Sequence, residues 1–356
     1  MESVVDRSSE SFLAKVLDPP TYGFTRNGQL YVPSTRELFR EFLGNMNIFG
    51  PQGDWLALVN WAFTFSLVIP FVLFFVYYFN FAYLFIGLTY AMVLMGTHGT
   101  IYLHRFCTHR AFTFRNSFAR FFVRNMGIKI IPEEVYAISH RVHHWKSEKP
   151  GDPYNVHGGW LYCFMSDANH QRIAQDLSEK DYEQLKKLLN HTGVKLNSYA
   201  QYKRWGSLSH PVRTVVHYLL NWGFWFAVFY AIAGIPFAIA MFGMAGVWAF
   251  GVRTFNYDGH GRGKDRRVEG IDFDTETLAI NQIWVGYVAG EWHSNHHLYP
   301  NGARSGFLPY QLDLAWLFIR FYQLIGGVKT LKDYKADFYR DHYDPYLAST
   351  SSLKQA

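Results

Sequence analysis

The run WLALVNWAFTFSLVIPFVLFFVYYF, Trp55 to Phe79, is followed after Asn80 by FAYLFIGLTYAMVLMGTHGTIYL, Phe81 to Leu103, and neither run contains Asp, Glu, Lys or Arg. Crossing the hydrocarbon of a bilayer takes about 20 consecutive apolar residues, so each run is long enough to span. With Asn80 alone between them they predict a tight helical hairpin, and Pro70 predicts a kink within the first span. The pattern returns as Val215–Ala233 and Pro236–Phe255, joined at Gly234-Ile235-Pro236. The expected fold is therefore an all-α integral membrane protein with four transmembrane helices in two hairpins.

The polar sequence divides around these spans. Residues 1–54 are expected to form a cytosolic N-terminal segment with a short amphipathic helix over Thr35–Leu43. Residues 55–320 form the membrane domain, with a helical cap from 104–214 and 256–320, and 321–356 a C-terminal tail. The loop from His104 to Thr214 holds 17 Lys and Arg against nine Asp and Glu, whereas the two connectors on the other side carry no charge. Excess cations mark cytoplasmic loops, so the cap and both termini are placed in the cytoplasm. Met1–Glu10 is polar with no apolar run directly after it, so insertion is expected from the internal spans. Within the cap, Phe112–Ile131 alternates Phe114, Phe118, Phe121 and Phe122 with Arg115, Arg120 and Arg124. That spacing predicts a basic amphipathic helix, lying in the membrane interface or facing the core of the cap. Residues 172–205 are charged and expected to be helical and exposed.

Composition agrees with this division. Charged residues are 17% of the 356 and aromatics 19%, against about 25% charged in ordinary soluble domains. The net charge of +6 suits contact with anionic lipid and would also suit nucleic acid; membrane lipid, and no nucleic acid, is the expected partner. Two cysteines, Cys107 and Cys163, make no disulfide framework and fit a reducing compartment.

The chemistry lies in the histidines, 16 in all. His104 and His109 form H-x4-H where the second span ends. His140, His143 and His144 form one H-x-x-H-H, and His293, His296 and His297 another. On a helix, positions i, i+3 and i+4 share a face, so each triplet can aim three imidazoles at one point. The i, i+5 pair is less regular and expects the helix to open at the span exit. Asn256 and His260, at i and i+4 just past the fourth span, add two more candidate ligands. All four groups fall on the cytoplasmic side. Nine imidazoles and one amide are too many for one ion and enough for two. Imidazole alone does not distinguish iron from zinc, copper or nickel, but the lack of a thiolate set argues against structural zinc. Neutral imidazoles need an acceptor on their outer nitrogen, and Asp152, Asp258, Asp265 and Glu291 are close enough in sequence to serve. His98, His191, His210, His217 and His342 stand alone and read as ordinary core or surface residues. Arg105, Arg110, Arg141, Lys146 and Arg304 are the cations nearest the boxes. Arg304, seven residues after the last one, is the candidate for an anionic head group.

These boxes resemble those of the membrane fatty acid desaturases, specifically the acyl-CoA desaturase branch: H-x4-H, two H-x-x-H-H motifs, and an Asn/His pair before the last. Gly151-Asp152-Pro153-Tyr154-Asn155 and Gly290-Glu291-Trp292-His293 extend the likeness, which covers about residues 55–320. The resemblance implies two iron ions, O2 as co-substrate and a cytosolic cap. It also implies an external electron donor, of ferredoxin, rubredoxin or cytochrome b5 type with its reductase, since no haem-binding motif is present. The expected activity is desaturation of a fatty acyl chain. The chain departs from the family at Cys107-Thr108 and at Tyr136-Ala137-Ile138-Ser139. Relatives also decarboxylate free medium-chain acids to terminal 1-alkenes, so that activity stands as the alternative. A divalent-metal transporter is a more distant one, disfavoured because transporters place their ligands near the bilayer midplane.

Overall fold

The structure, a computed structural model, describes residues 12–165, 172–282 and 292–353. It is mostly helical and divides into two compact units, residues 1–65 with 129–221 and residues 66–128 with 222–356.

In the first unit, α1 (Thr35–Met46) begins at a capping box in which the Ser34 and Glu37 side chains each bond the other's backbone N–H. Leu38 of α1 packs with Tyr162 and Met165 in one core. The expected exposed region is more structured than its charge suggested. Helices Glu179–Leu189 and Tyr199–Trp205 bury Tyr182, Leu185, Leu189 and Tyr202, and the Tyr182 and Tyr202 rings stack at 4.4 Å.

Three helical runs are long and apolar enough to cross a membrane: α2 (Trp55–Tyr77), α3 (Phe81–Thr108) and the run Pro211–Gly259. Asp54 starts α2, accepting from Leu56 N–H at 2.8 Å and Ala57 N–H at 3.3 Å. Burial pushes its carboxyl up to about 6 despite those bonds. The regular helix of α2 is interrupted at Leu67, three residues before Pro70, whose ring cannot follow an unbroken turn. Asn80 accepts from Tyr83 N–H at 3.1 Å and starts α3.

The run Pro211–Gly259 opens with α4 (Pro211–Gly251), which is not one straight rod. Ala233 and Gly234 depart from helical geometry, and Gly234 takes φ +75°, a conformation costly for any residue with a β-carbon. Along an unbroken helix Trp222 and Phe242 would lie about 30 Å apart. Their ring centroids are 5.4 Å apart, so the chain doubles back at the expected glycine. Glycines then let the returning half approach its neighbours in the second unit. A β-carbon on Gly243 would lie 3.0 Å from Phe71 Cα, one on Gly246 3.1 Å from Leu67 Cβ, and one on Gly87 2.7 Å from the Met244 side chain.

The expectation of a single helix over Phe112–Ile131 is corrected. Phe112–Phe114 is a strand, β1, paired antiparallel with β2 (Val328–Leu331). The helix is confined to Ser117–Arg124, started by Asn116, whose side chain accepts from Ala119 N–H at 2.8 Å. The Phe-Thr-Phe alternation is a period-two signal, but its pairing partner lies more than 200 residues later and leaves no mark in local sequence.

Candidate metal centre

The H-x4-H pair lies on α3, which is not α-helical throughout. Thr100–Thr108 is π-helical, and His109 N–H donates to His104 C=O at 3.2 Å. With i to i+5 bonding, residues five apart stand one above the other, so the wider turn brings His104 and His109 to one side, with ring centroids 4.9 Å apart. The second span and the first box are thus one continuous helix. Helix α5 (Phe255–Gly259) carries Asn256, whose C=O accepts from His260 N–H at 3.2 Å. Among the described residues the half-buried Asn256 Oδ1 meets no donor. Helix α6 (His293–Leu298) carries the last triplet, with His293 and His296 buried.

These elements bring six imidazoles of the second unit into two groups. In one, His104 Nε2 is 2.9 Å from His296 Nε2, and the His109 ring lies 4.8 Å from that of His296. In the other, His293 Nε2 is 3.1 Å from His260 Nε2 and 3.2 Å from His297 Nε2. Within each group the ligand nitrogens lie within 4.8 Å of one another. Helix α6 serves both, His296 facing one group and His293 and His297 the other.

In the first unit the helix Glu133–Lys146 carries the middle triplet. His140 Nε2 and His144 Nε2 are 3.2 Å apart, and Tyr136 stacks on the His140 ring at 5.3 Å. His143 Nδ1 lies 2.8 Å from Asp152 Oδ1, both buried. Asp152 also accepts from Glu148 and Tyr154 N–H, each at 2.8 Å. A carboxylate so held keeps the imidazole proton on Nδ1 and makes Nε2 the lone-pair nitrogen.

The donor set fits metal. Two nitrogens held in adjacent positions about 2.1 Å from one ion stand about 3.0 Å apart. The four Nε2 pairs fall at 2.9–3.2 Å. His293 Nε2 meets two other Nε2 atoms at once, an arrangement a single proton cannot satisfy and one shared cation can.

Asp258 accepts from Arg262 at 2.8 Å, and the exposed Asp265 is held by Arg267 at 2.7 Å. Glu291 lies outside the described residues. Arg304 donates to Gly306 C=O at 2.6 Å, pairs with Asp333 at 3.7 Å and lies over the Trp316 ring. His98 is a satisfied core residue, its nitrogens 2.7 Å from Leu94 C=O and 2.6 Å from Tyr322 Oη.

Sequence reasoning passed over a polar bracket beside the histidines. Arg105, read from sequence only as one of the cations nearest the boxes, is buried. Its Nη2 lies 2.8 and 2.9 Å from the two carboxylate oxygens of Asp313, and Nη1 donates to Ala303 C=O at 2.5 Å. Burial pushes the Asp313 carboxyl up, but Arg105 and the N–H groups of Ser305 and Trp316 outweigh it and hold it below the usual range. Asn295, between His293 and His296, donates to Ser305 C=O at 2.7 Å and Gln311 Oε1 at 2.9 Å, and accepts from Asn281 at 3.0 Å. A guanidinium one residue after a candidate ligand at a span exit was the available signal, since a buried Arg requires an acceptor.

Comparison with known proteins agrees with the geometry. Residues 79–320 match the model of the family described as fatty acid desaturase. The chain is 26% identical over 253 residues to the chloroplastic palmitoyl-monogalactosyldiacylglycerol delta-7 desaturase of Arabidopsis thaliana, covering 69% of this chain and 60% of that protein. It is 27% identical over 270 residues to the sn-1 stearoyl-lipid 9-desaturase of Anabaena variabilis, covering 71% and 86%. It is 25% identical over 253 residues to the icosanoyl-CoA 5-desaturase of Limnanthes douglasii, covering 70% and 64%. The chain belongs to the fatty acid desaturase family, whose members are oxidoreductases acting on fatty acids.

Proposed function

We propose that this chain introduces a double bond into a saturated fatty acyl chain, with O2 as oxidant and a two-iron centre on the cytoplasmic side of a four-span bundle. The observation that carries the reading is the convergence of Nε2 atoms into two groups, with spacings suited to two adjacent cations. His104, His109 and His296 would hold one iron, and His260, His293 and His297 the other. His140 and His144, whose Nε2 atoms form a pair, and His143, oriented by Asp152, would complete the two positions. Asn256 would contribute Oδ1, directly or through a water. Bound there, iron would supply the oxidising power to abstract hydrogen from an unactivated C–H bond.

The balance defines the partners. One O2, two electrons and two protons take two hydrogens from adjacent carbons of the acyl chain and leave an alkene and two waters. The electrons require a separate donor of ferredoxin, rubredoxin or cytochrome b5 type with its reductase. The histidines must stay neutral to bind, and Asp152 fixes the tautomer of His143 toward that end. The reversal at Ala233–Gly234 supports four crossings, and the cationic loop supports a cytoplasmic cap.

Extracted products from cells expressing the chain with a set of fatty acids test the reading. Acyl chains with a new internal double bond support it. A volatile 1-alkene one carbon shorter would instead establish oxidative decarboxylation.

A further inference from the structure

We infer that the loop Ala303–Asp313 is a template that sets the distance between the first and last histidine boxes, with Arg105, Asn295, Gln311 and Asp313 as positioning residues for the His104/His109/His296 iron position. The inference rests on the two-iron reading and extends it to residues that touch no metal.

The His104/His109/His296 group is assembled from two elements distant in sequence, α3 and α6. Among the described residues, the loop bonds to a neighbour of a ligand on each. On the α3 side, Arg105 follows His104 directly and is tied to Asp313, Ala303 C=O and, at 3.4 Å, Ser305 Oγ. On the α6 side, Asn295 precedes His296 directly and is tied to Ser305 C=O and Gln311 Oε1. Both ties therefore end on Ser305 and the 311–313 turn.

That turn is internally rigid. Asp313 Oδ2 accepts from Ser305 N–H at 2.7 Å and Gly306 N–H at 3.2 Å, and Oδ1 accepts from Trp316 N–H at 2.9 Å. Gln311 Oε1 accepts from Phe307 N–H at 2.8 Å and Leu308 N–H at 3.0 Å. A β-carbon on Gly306 would lie 2.4 Å from Gln311 C=O, so only glycine lets the loop close on itself. Phe307 and Leu308 anchor it in a buried cluster with Phe338.

The other group is closed by direct packing. A β-carbon on Gly259 would stand 3.1 Å from the His293 ring, so the segment carrying His260 packs directly against α6. Loosening the template should therefore affect one position more than the other. Removal of the groups that orient metal ligands commonly costs about 10- to 100-fold in affinity.

The full chain, purified in detergent and loaded with ferrous iron, is challenged with a ferrous chelator. Iron release is followed over time, alongside the melting temperature of the metal-stripped protein. Wild type is expected to release its iron slowly. Arg105→Lys keeps the charge but loses the planar fork, and should release about half of the iron at least ~10-fold faster, the rest at the wild-type rate. Gln311→Leu should behave likewise. Gln311→Glu should restore slow release, because the carboxylate keeps the acceptor and Gln311 Nε2 has no acceptor among the described residues to lose. Release unchanged in Arg105→Lys and Gln311→Leu, with melting temperature alone lowered, would make the loop merely structural and overturn the inference. Equal acceleration of all the iron would overturn the assignment to one position. Wild type that binds no iron would instead sink the two-iron reading, a result distinct from either.

Discussion

At the scale of single residues, the proposed centre would depend on holding many imidazoles neutral, close together and in chosen tautomers. Protonated, they would repel and could not bind a cation. Asp152 shows how this is done for one of them: the buried carboxylate accepts from His143 and from two backbone N–H groups, so neither partner can turn. Asp152→Asn keeps an acceptor oxygen but loses the charge. Iron affinity is expected to fall by about 10-fold or more, measured by competition with a chelator, while the chain stays in the membrane fraction. His296→Ala and His143→Ala should abolish turnover with membrane insertion intact, because the apolar spans do not depend on them. Activity retained in either variant would remove that histidine from the centre.

At the scale of elements, helix starts and breaks decide where the candidate ligands stand. The π-helical end of α3 turns an i, i+5 pair into neighbours, and local sequence announces this only as an awkward spacing. The two i, i+3, i+4 triplets were legible outright, because ordinary α-helices suit them. The strand at Phe112–Phe114 was not, because its partner comes from the far end of the chain, and neither was the loop Ala303–Asp313, whose order comes from hydrogen bonds within the loop together with its ties to Arg105 and Asn295. Asp54, at the start of α2, gives a test of helix capping. Its folded carboxyl is raised to about 6 by burial, above the ordinary value of 3.8, so the protonated form is the one folding favours. Its contribution is full below about pH 4 and lost as pH rises through about 6. Asp54→Asn mimics the protonated form and keeps the cap. It should raise the melting temperature at pH 7.5 and leave it unchanged near pH 4. Asp54→Ala, which loses the cap, should lower stability by about 1 kcal/mol.

At the scale of the whole molecule, hydropathy made the long apolar helical runs legible, because their length and apolarity do not depend on distant contacts. The proposed four crossings would place the connectors at Asn80 and Gly234 on one side and the cationic loop on the other. Single cysteines at Asn80 and Gly234, in a background without Cys107 and Cys163, should react with an impermeant maleimide from the outer face. Cysteines at Lys146 and Lys187 should react only after permeabilisation. Labelling of Lys146Cys in intact cells would reverse the topology and separate the histidine cap from cytoplasmic electron donors.

The central claim joins these scales, for it says that the histidine groups hold iron and that this iron oxidises an acyl chain. The most direct measurement is a single-turnover reaction of the purified, iron-loaded, chemically reduced protein with O2 and a saturated acyl substrate, quantifying iron per chain and the extracted product together. The account predicts about two irons per chain and an acyl product with one new internal double bond. A protein fully active with a single zinc ion, or one that holds two irons and leaves every acyl substrate saturated, would contradict it.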